Sequence, residues 1–538
     1  MDHVPHFELP LGRSTDAILR SLGEVFPLIP YATSRERLTY LDTFDWRLWE
    51  MGLTLTSARV GKGVRLTLYH VDGEVWELRA SGNPAFASEL EEGPLRQRLE
   101  PVSNIRRLLP RARADWQGET RSVLNQEGKT VVRLLLRQGR GRLPDRRGSL
   151  DLPHRLQLLP LKGYGRELLQ VQRELRRSLG VPVTERTELA MVLEALGVEP
   201  GSYSSRFDLV LSPTSPAREA VRTIHRFLLE TMLVNEDGLI QDLDSEFLHD
   251  FRVAVRRTRS ALTQLKGIFP PEEVEYFGEE FRWLGARTGP TRDMDVYLLK
   301  IPSYQAQLPD GVKGELEPLV RFLEKKKAAA HGGLVRTLRS KRYKKLLEDW
   351  DAFLEGLPRA EDEEARPGGV CLDANRTILA VASERIWKAY KRVLKKGKAI
   401  RPKTPAEALH RLRIDCKKLR YLIHFFQSLY PQDALKPILK ELKRLQDNLG
   451  DFNDLHVQRD ALLGFAEEMM ETGVGPPATL MAMGQLMGQL EAQQLRERKA
   501  FRKRFRRFSS AENQARFKEL FGSAASQETG AGGKGDGG

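Results

Sequence analysis

The 538-residue chain carries 40% hydrophobic and 30% charged residues, enough apolar material for the cores of two or three ordinary domains and too much for a wholly disordered chain. Its formal net charge of +14 points to anionic partners such as nucleic acid, polyphosphate or a membrane surface, without choosing among them. Two cysteines, Cys371 and Cys416, exclude a disulfide framework and a cysteine-based zinc site. No apolar run approaches the ~18 residues needed to span a bilayer, and MDHVPHFELPLGRSTDAILR lacks the basic flank and apolar core of an export signal. The expectation is a soluble cytoplasmic protein with no membrane partner.

Residues 1–200 mix strands and helices. RLTLYHV and EVWELRA alternate side chains around Asp72-Gly73, a dipeptide suited to a tight hairpin. A second hairpin is expected from RSVLNQ through Glu127-Gly128 into KTVVRLLLR. It puts Arg133 and Arg137 on one strand face and Val132, Leu134 and Leu136 on the other. These signals predict an α+β domain built on an antiparallel sheet.

From about 210 the chain turns to helical periodicity, punctuated at Pro270-Pro271, Pro405, Pro431 and Pro476-Pro477. An all-α domain is expected over 210–522. PRAEDEEARPGGV (358–370) reads as an exposed connection between two packed units, 210–357 and 371–522. The tail 523–538 reads as disordered.

The helical half repeats itself. LHDFRVAVRRTRSALTQLKGIFP, from Leu248, lies ungapped over LHRLRIDCKKLRYLIHFFQSLYP, from Leu409, at the offset 410 − 249 = 161. The same offset carries Leu284, Gly289, Asp293 and Val296 onto Leu445, Gly450, Asp454 and Val457, so register holds through a break into the next helix.

On a helical projection Phe251, Val255, Thr258, Leu262 and Leu265 share one face, while His249, Arg252, Arg256 and Arg259 form a stripe about 80° wide beside it. In the second copy Leu412, Cys416, Leu419, Ile423 and Phe426 form the apolar face, and His410, Arg413, Lys417 and Arg420 the stripe. Arg257 and Lys418 join the two stripes as candidate anion contacts. Like charges at such spacings repel by a few tenths of a kcal/mol per pair, roughly, a cost that folding alone gives no reason to repeat.

Between the copies, Lys325 to Lys345 holds nine Lys or Arg and no acidic residue, adding Arg339 and Arg342 to the candidates. A mixed Arg, Lys and His surface suits a flexible chain of phosphates. Two readings stay open for His249 and His410, a phosphate contact or a structural histidine at the helix start. Asp293 and Asp454 are read as structural, capping the next helix or pairing with a stripe arginine. In FRKRFRRF (501–508), Phe501, Phe505 and Phe508 have the spacing of a core-facing edge, with stacking on single-stranded nucleic acid as the alternative. Trp283 and Trp387 are expected to pack internally.

HDFRVAVRRTRSAL and HRLRIDCKKLRYLI, followed by LGARTGPTRDMDV and LQDNLGDFNDLHV, resemble the two repeats of the CHAD family, the conserved histidine α-helical domain. The resemblance implies two pseudo-symmetric four-helix units around a basic channel that binds inorganic polyphosphate, and in some members association with polyphosphate granules.

YLDTFDWRLWEMGLTLTSAR is similar to part of the CYTH, or triphosphate tunnel, domain that often precedes CHAD. That resemblance implies a tunnel-like barrel opening on a Glu-x-Glu-x-Lys strand whose carboxylates hold a divalent metal at a triphosphate. The matching strand here reads His6-Phe7-Glu8-Leu9-Pro10 and keeps one glutamate, so the domain is read as degenerate, without catalytic residues or a metal cofactor. Arg59, Arg79 and Arg133 are open to two readings, anion contacts inside a tunnel or ordinary surface arginines.

The leading expectation is a protein that binds inorganic polyphosphate without catalysis. Its alternatives are a triphosphate or nucleotide hydrolase using Glu8, with magnesium or manganese, and a nucleic-acid-binding module.

Overall fold

The computed structural model describes residues 6–9, 15–180, 183–184, 186–357 and 371–522. The expected connection at 358–370, the tail from 523 and Pro10 of the first strand lie outside them. The chain divides into two compact units, Met1–Ser205 and Arg206–Gly538.

Eight antiparallel strands form the sheet of the first unit: β1 (His6–Leu9), β2 (Leu28–Asp42), β3 (Leu53–Val60), β4 (Gly63–His70), β5 (Val75–Ala80), β6 (Leu109–Leu124), β7 (Thr130–Arg142) and β8 (Leu150–Pro160). Their order is β1-β8-β7-β6-β2-β3-β4-β5. The hairpin at Asp72-Gly73 joins β4 to β5, with Gly73 at φ 95°, and that at Glu127-Gly128 joins β6 to β7, with Gly128 at φ 74°. Both turns need the left-handed backbone that glycine adopts without strain. The Asn125 side-chain oxygen fixes the second by accepting from the backbone N–H of Glu127 and Lys129, at 3.0 and 2.9 Å.

The helices of this unit are α1 (Thr15–Val25), α2 (Arg47–Glu50), α3 (Pro94–Ser103), α4 (Gly165–Leu179) and α5 (Glu188–Ala195). One sheet face is apolar and helix-covered: Leu134, Leu136, Leu156 and Leu158 pack against α1 and α4, while Leu55, Leu66 and Leu68 pack against α3. Residues paired across neighbouring strands share a face, so the pairs Glu36–Trp116, Gly118–Arg137, Arg137–Arg155 and Arg155–Glu8 mark the other face as charged.

Helix α5 lies on that charged face, its Leu189, Met191, Val192 and Leu193 meeting Tyr40, Ala112, Ala114 and Trp116. Its buried Glu188 receives hydrogen bonds from Tyr40 Oη at 2.6 Å and Arg137 Nη1 at 2.5 Å, with Arg155 Nη1 at 3.4 Å. Arg155 is fully buried and Arg137 nearly so, and truncating the shared carboxylate takes away the charge that faces both, leaving Arg137 its pair with Glu36 at 3.0 Å. Glu188→Ala is expected to cost about 3–5 kcal/mol, read as a lower denaturant midpoint; a change within experimental error would contradict it.

The second unit is all helical. Its first copy holds α6 (Ala217–Ile240), α7 (Ser245–Gln264), α8 (Pro271–Arg287), α9 (Gly289–Gln307), α10 (Glu317–Leu338) and α11 (Lys341–Gly356). Its second holds α12 (Ile378–Ala399), α13 (Ala406–Phe425), α14 (Gln432–Glu471), α15 (Pro477–Phe508) and α16 (Ala511–Phe521). Helices α12, α13 and α14 each begin 161 positions after α6, α7 and α8, so the sequence offset is also the structural one.

The punctuating prolines all stand at helix starts, where a missing N–H costs nothing: Pro271 and Pro477 open α8 and α15, and Pro405 and Pro431 precede α13 and α14. In one respect the copies differ. The expected break after the repeat's long helix exists only in the first copy, where Thr288 separates α8 from α9 and Gly289-Pro290 opens α9. The second has Asp451 in the place of Pro290, and α14 runs on for 40 residues.

All ten residues assigned to the two apolar faces are buried. The copies also share one core, in which Tyr297, Ile301 and Tyr304 of α9 meet Leu462, Phe465 and Met469 of α14 and Met483 and Leu486 of α15. Phe501, Phe505 and Phe508 are buried, as the core reading of FRKRFRRF expects, and Trp283 and Trp387 are half-buried. Phe505 rests on Gly397, where an added Cβ would meet Phe505 ring carbons at 1.9 and 2.4 Å. Gly397→Ala is therefore expected to destabilise by about 1–3 kcal/mol, visible as a lower thermal midpoint.

Candidate functional site

The two basic stripes lie on α7 and α13, and these helices pack against each other. Gln264 Nε2 donates to the Lys418 carbonyl at 3.3 Å, and the Arg256 guanidinium stands 5.9 Å from the centre of the Tyr421 ring. Each helix is anchored by its buried apolar face, which leaves the stripe at the margin of the packing surface. For α7 the start is fixed by Asp244, whose side chain accepts from the backbone N–H of Glu246 and Phe247.

Around this junction Arg252, Arg256 and Arg257 of the first copy act on one another and on Arg413, Lys417 and Arg420 of the second, whereas Arg259 faces Gly285 and Arg282 of α8 and Lys418 lines a separate depression with Arg392, Lys395 and Lys396 of α12. Arg252 donates to Thr288 Oγ1 at 2.8 Å and to the Gly285 carbonyl at 3.3 Å. Arg252 and Arg259 lie against glycines: a Cβ on Gly289 would sit 3.6 Å from Arg252 Nη1, and one on Gly285 3.4 Å from Arg259 Nη1, both ordinary contact distances. Arg257 reaches over the Phe207 ring, at 5.6 Å. Arg420 donates to Gln446 Oε1 at 3.2 Å, and Gln446 in turn donates to the Cys416 carbonyl at 2.6 Å. Neutral acceptors thus hold Arg252 and Arg420, while carboxylates face Arg413 from Asp454 and Arg252 from Asp293.

The titration behaviour records that concentration of charge. Burial, then Arg413 and Arg256, pushes Lys417 down to about 8. Burial, then Arg420 and Arg257, pushes His424 down to about 4, so it is neutral at ordinary pH. Burial also lowers Arg252, Arg257 and Arg259, with Arg256, Arg420 or Arg282 among the neighbours that reinforce it.

Each histidine of the motif makes a contact through Nδ1 to the matching position further along its repeat, His249 accepting from an arginine and His410 donating to an amide oxygen. His249 meets Arg292 Nη2 at 3.0 Å and His410 meets Asn453 Oδ1 at 2.5 Å, and Arg292 and Asn453 are themselves 161 apart. Asp454 pairs with Arg413 at 3.0 Å; its place within the continuous α14 rules out the helix-capping alternative. Asp293 faces Arg252 and Arg292.

Arg339 and Arg342 occupy another place, at the junction of α10 and α11. Arg342 is taken up by Glu280 in a two-pronged pair, at 2.9 and 2.8 Å, and lies over the Trp283 ring at 4.2 Å. Arg339 is exposed at the end of α10. Arg292, Asn453, Tyr421, His424 and Gln446 were not singled out from sequence; the 161 offset alone pairs Arg292 with Asn453.

In the N-terminal unit the carboxylates do not suit a divalent metal. Glu8 faces Arg186 at 3.3 Å, and Glu36 accepts from Arg65 and Arg137 at 3.1 and 3.0 Å. Among the described residues no group of three His, Cys, Asp or Glu has the arrangement of a metal site. Arg133 lies on the charged face with Arg137, its guanidinium 3.8 Å from the Tyr31 ring centre, and Arg79 pairs with Arg65 there. Arg59 pairs with Val64 and so lies on the opposite face, outside any interior of the charged side. Among the described residues no helix is long and apolar enough to cross a membrane.

The family model of the CHAD domain matches residues 223–463. Two uncharacterised proteins of Mycobacterium tuberculosis strains are 29% identical over 291 residues, 51% of this chain and 53% of each relative. The chain thus spans about half the length of the curated relatives it matches. Among solved structures, the CHAD domain of the plant Ricinus communis is 27% identical, with TM-score 0.46 over 56% of this chain and 95% of that one. PptA from Streptomyces chartreusis is 16% identical, with TM-score 0.42 over 54% of this chain and all of that one. The putative adenylyl cyclase HpAC1 from Hippeastrum, described as having a dominant triphosphatase activity, is 15% identical, with TM-score 0.25 over 37% of this chain and 98% of that one. With the family match resting on the helices that carry both stripes, the chain carries a CHAD domain in its C-terminal half.

Proposed function

We propose that the helical domain binds inorganic polyphosphate across the junction of α7 and α13, by charge and hydrogen bonding and without catalysis at that site. The observation that carries this reading is the convergence of two repeated stripes on one junction, where burial, reinforced by Arg413 and Arg256, pushes Lys417 down to about 8. A chain of phosphates supplies closely spaced negative charge with no base to accommodate, and it converts the mutual repulsion of the stripe into attraction. Association of CHAD domains with polyphosphate agrees with it.

The nucleic-acid alternative loses its stacking platform, since Phe501, Phe505 and Phe508 are buried. The hydrolase alternative loses its metal ligands to Arg186, Arg65 and Arg137. Competition decides between the polyanions. With the full chain at one near-physiological salt concentration, long-chain polyphosphate should stay bound against single-stranded RNA of matched charge. Equal displacement by RNA would reduce the junction to a generic basic surface.

A further inference from the structure

On the N-terminal sheet several arginines are matched by carboxylates: Arg137 by Glu36 and Glu188, Arg65 by Glu36, Arg121 by Glu119. One depression departs from that rule. A cavity of about 490 Å³ lies beside the ends of β3 and β7 and the start of β4 and reaches across β2 and β6. Its lining includes Arg37, Arg59, Lys62, Arg113 and Arg142, with Asp115 as its single carboxylate among the described residues. Asp115 stands 3.7 Å from Arg37, both side chains well exposed, so it offsets little of the charge.

Register places this depression on the face opposite Glu188. Arg37 pairs with Asp115, Thr39 with both Arg113 and Ser57, and Arg113 with Arg142, whereas Glu36 and Trp116 stand one residue away on the charged face covered by α5. Arg113 and Arg142 are therefore like charges directly opposite each other on adjacent antiparallel strands, an arrangement that opposes folding. Hydroxyls of Thr39 and Ser57 stand in the same lining, and Ser57 Oγ donates to Asn83 Oδ1 at 2.5 Å, which turns the amide of Asn83 into the wall.

We propose that this depression is a second anion-binding site, separate from the helical junction, that takes a short condensed phosphate without a divalent metal. Guanidinium forks match phosphate oxygens in pairs, and an anion of several charges is needed to offset the cations gathered here. A lining with one carboxylate has no ligand set for a metal, so the arginines themselves neutralise the phosphate. The occupant is either a free oligophosphate or the end of a longer chain. The proposal does not depend on the reading of the helical junction.

The test uses the full chain with Arg252, Arg256, Arg413 and Lys417 changed to alanine, so that the junction is silent, and titrates inorganic tripolyphosphate in the presence of EDTA by calorimetry. The expected result is saturable binding near one equivalent, weakened at least ~10-fold by R113Q/R142Q and several-fold by R59Q on the open rim. The ligand-free R113Q/R142Q protein should also melt no lower than its parent, because a cross-strand repulsion has been removed. Unchanged tripolyphosphate affinity in R59Q, which stays informative if the double variant misfolds, overturns the proposal, as does binding that appears only with magnesium. A parallel arm titrates long-chain polyphosphate into R113Q/R142Q with the junction intact. A loss of affinity there identifies chain ends as the occupant, and unchanged affinity identifies free oligophosphate.

Discussion

Changing Arg252, Arg256, Arg413 and Lys417 together to alanine is expected to abolish tight polyphosphate binding while leaving the helical circular dichroism signal in place. Charge-assisted hydrogen bonds contribute about 1.5–3 kcal/mol each, so even with strong non-additivity the loss should reach at least a hundredfold. Folding has less to lose. Arg252 gives up its bonds to Thr288 and Gly285 and Arg413 its pair with Asp454, but removal of four neighbouring cations also removes their mutual repulsion. The salt dependence should fall as well, by about 0.7 in the slope of log affinity against log salt for each cation lost, on the scale known for single-stranded polyanions. Retained affinity with a retained fold would remove the junction from the account.

The second large effect is a pH dependence with opposite signs for binding and for stability. Lys417 has its pKa pushed down to about 8 in the ligand-free protein, and a bound phosphate chain raises it by supplying negative charge. Binding is then linked to proton uptake, so affinity should fall as pH rises above 8, by up to about tenfold per unit. Stability runs the other way. Between pH 8 and 10.5 the unfolded chain keeps the Lys417 proton that the folded chain has released, so ν_U exceeds ν_N and the ligand-free protein gains stability from this group as pH rises. Lys417→Arg should flatten both trends while keeping the charge. An affinity profile in Lys417→Arg that still drops from pH 8 to 9.5 as steeply as in the parent would show that another group controls it.

Much of this organisation can be read from the residues themselves. Proline at Pro271, Pro405, Pro431 and Pro477 marks helix starts because a proline lacks only a hydrogen bond that the first turn does not make. The 161 offset follows from aligned side chains and reappears in the starts of α12, α13 and α14. The apolar faces emerge from helical periodicity, since burial of Phe251 or Leu419 is a local consequence of spacing.

Other features depend on contacts between distant segments that no local pattern encodes. Each stripe is visible alone, but their meeting depends on how α7 and α13 cross. Arg342 looks identical to a stripe arginine until Glu280, 62 residues away, is found to hold it. Likewise Arg59 and Arg133 read alike as sheet arginines, and only strand register puts them on opposite faces. The continuity of α14 turns on one substitution, Asp451 where the first copy has Pro290, which a search for similarity passes over.

The most direct measurement is residue-resolved chemical footprinting of the full chain, with reductive methylation for Lys417 and phenylglyoxal for Arg256, across a titration with long-chain polyphosphate. Lys417 lies on the second repeat and Arg256 on the first, and the low pKa of Lys417 makes it reactive near pH 8. One site spanning both stripes predicts that the two residues become protected together, along a single saturation curve. Protection of one without the other, or two curves with separate midpoints, would contradict a shared site at the junction of α7 and α13.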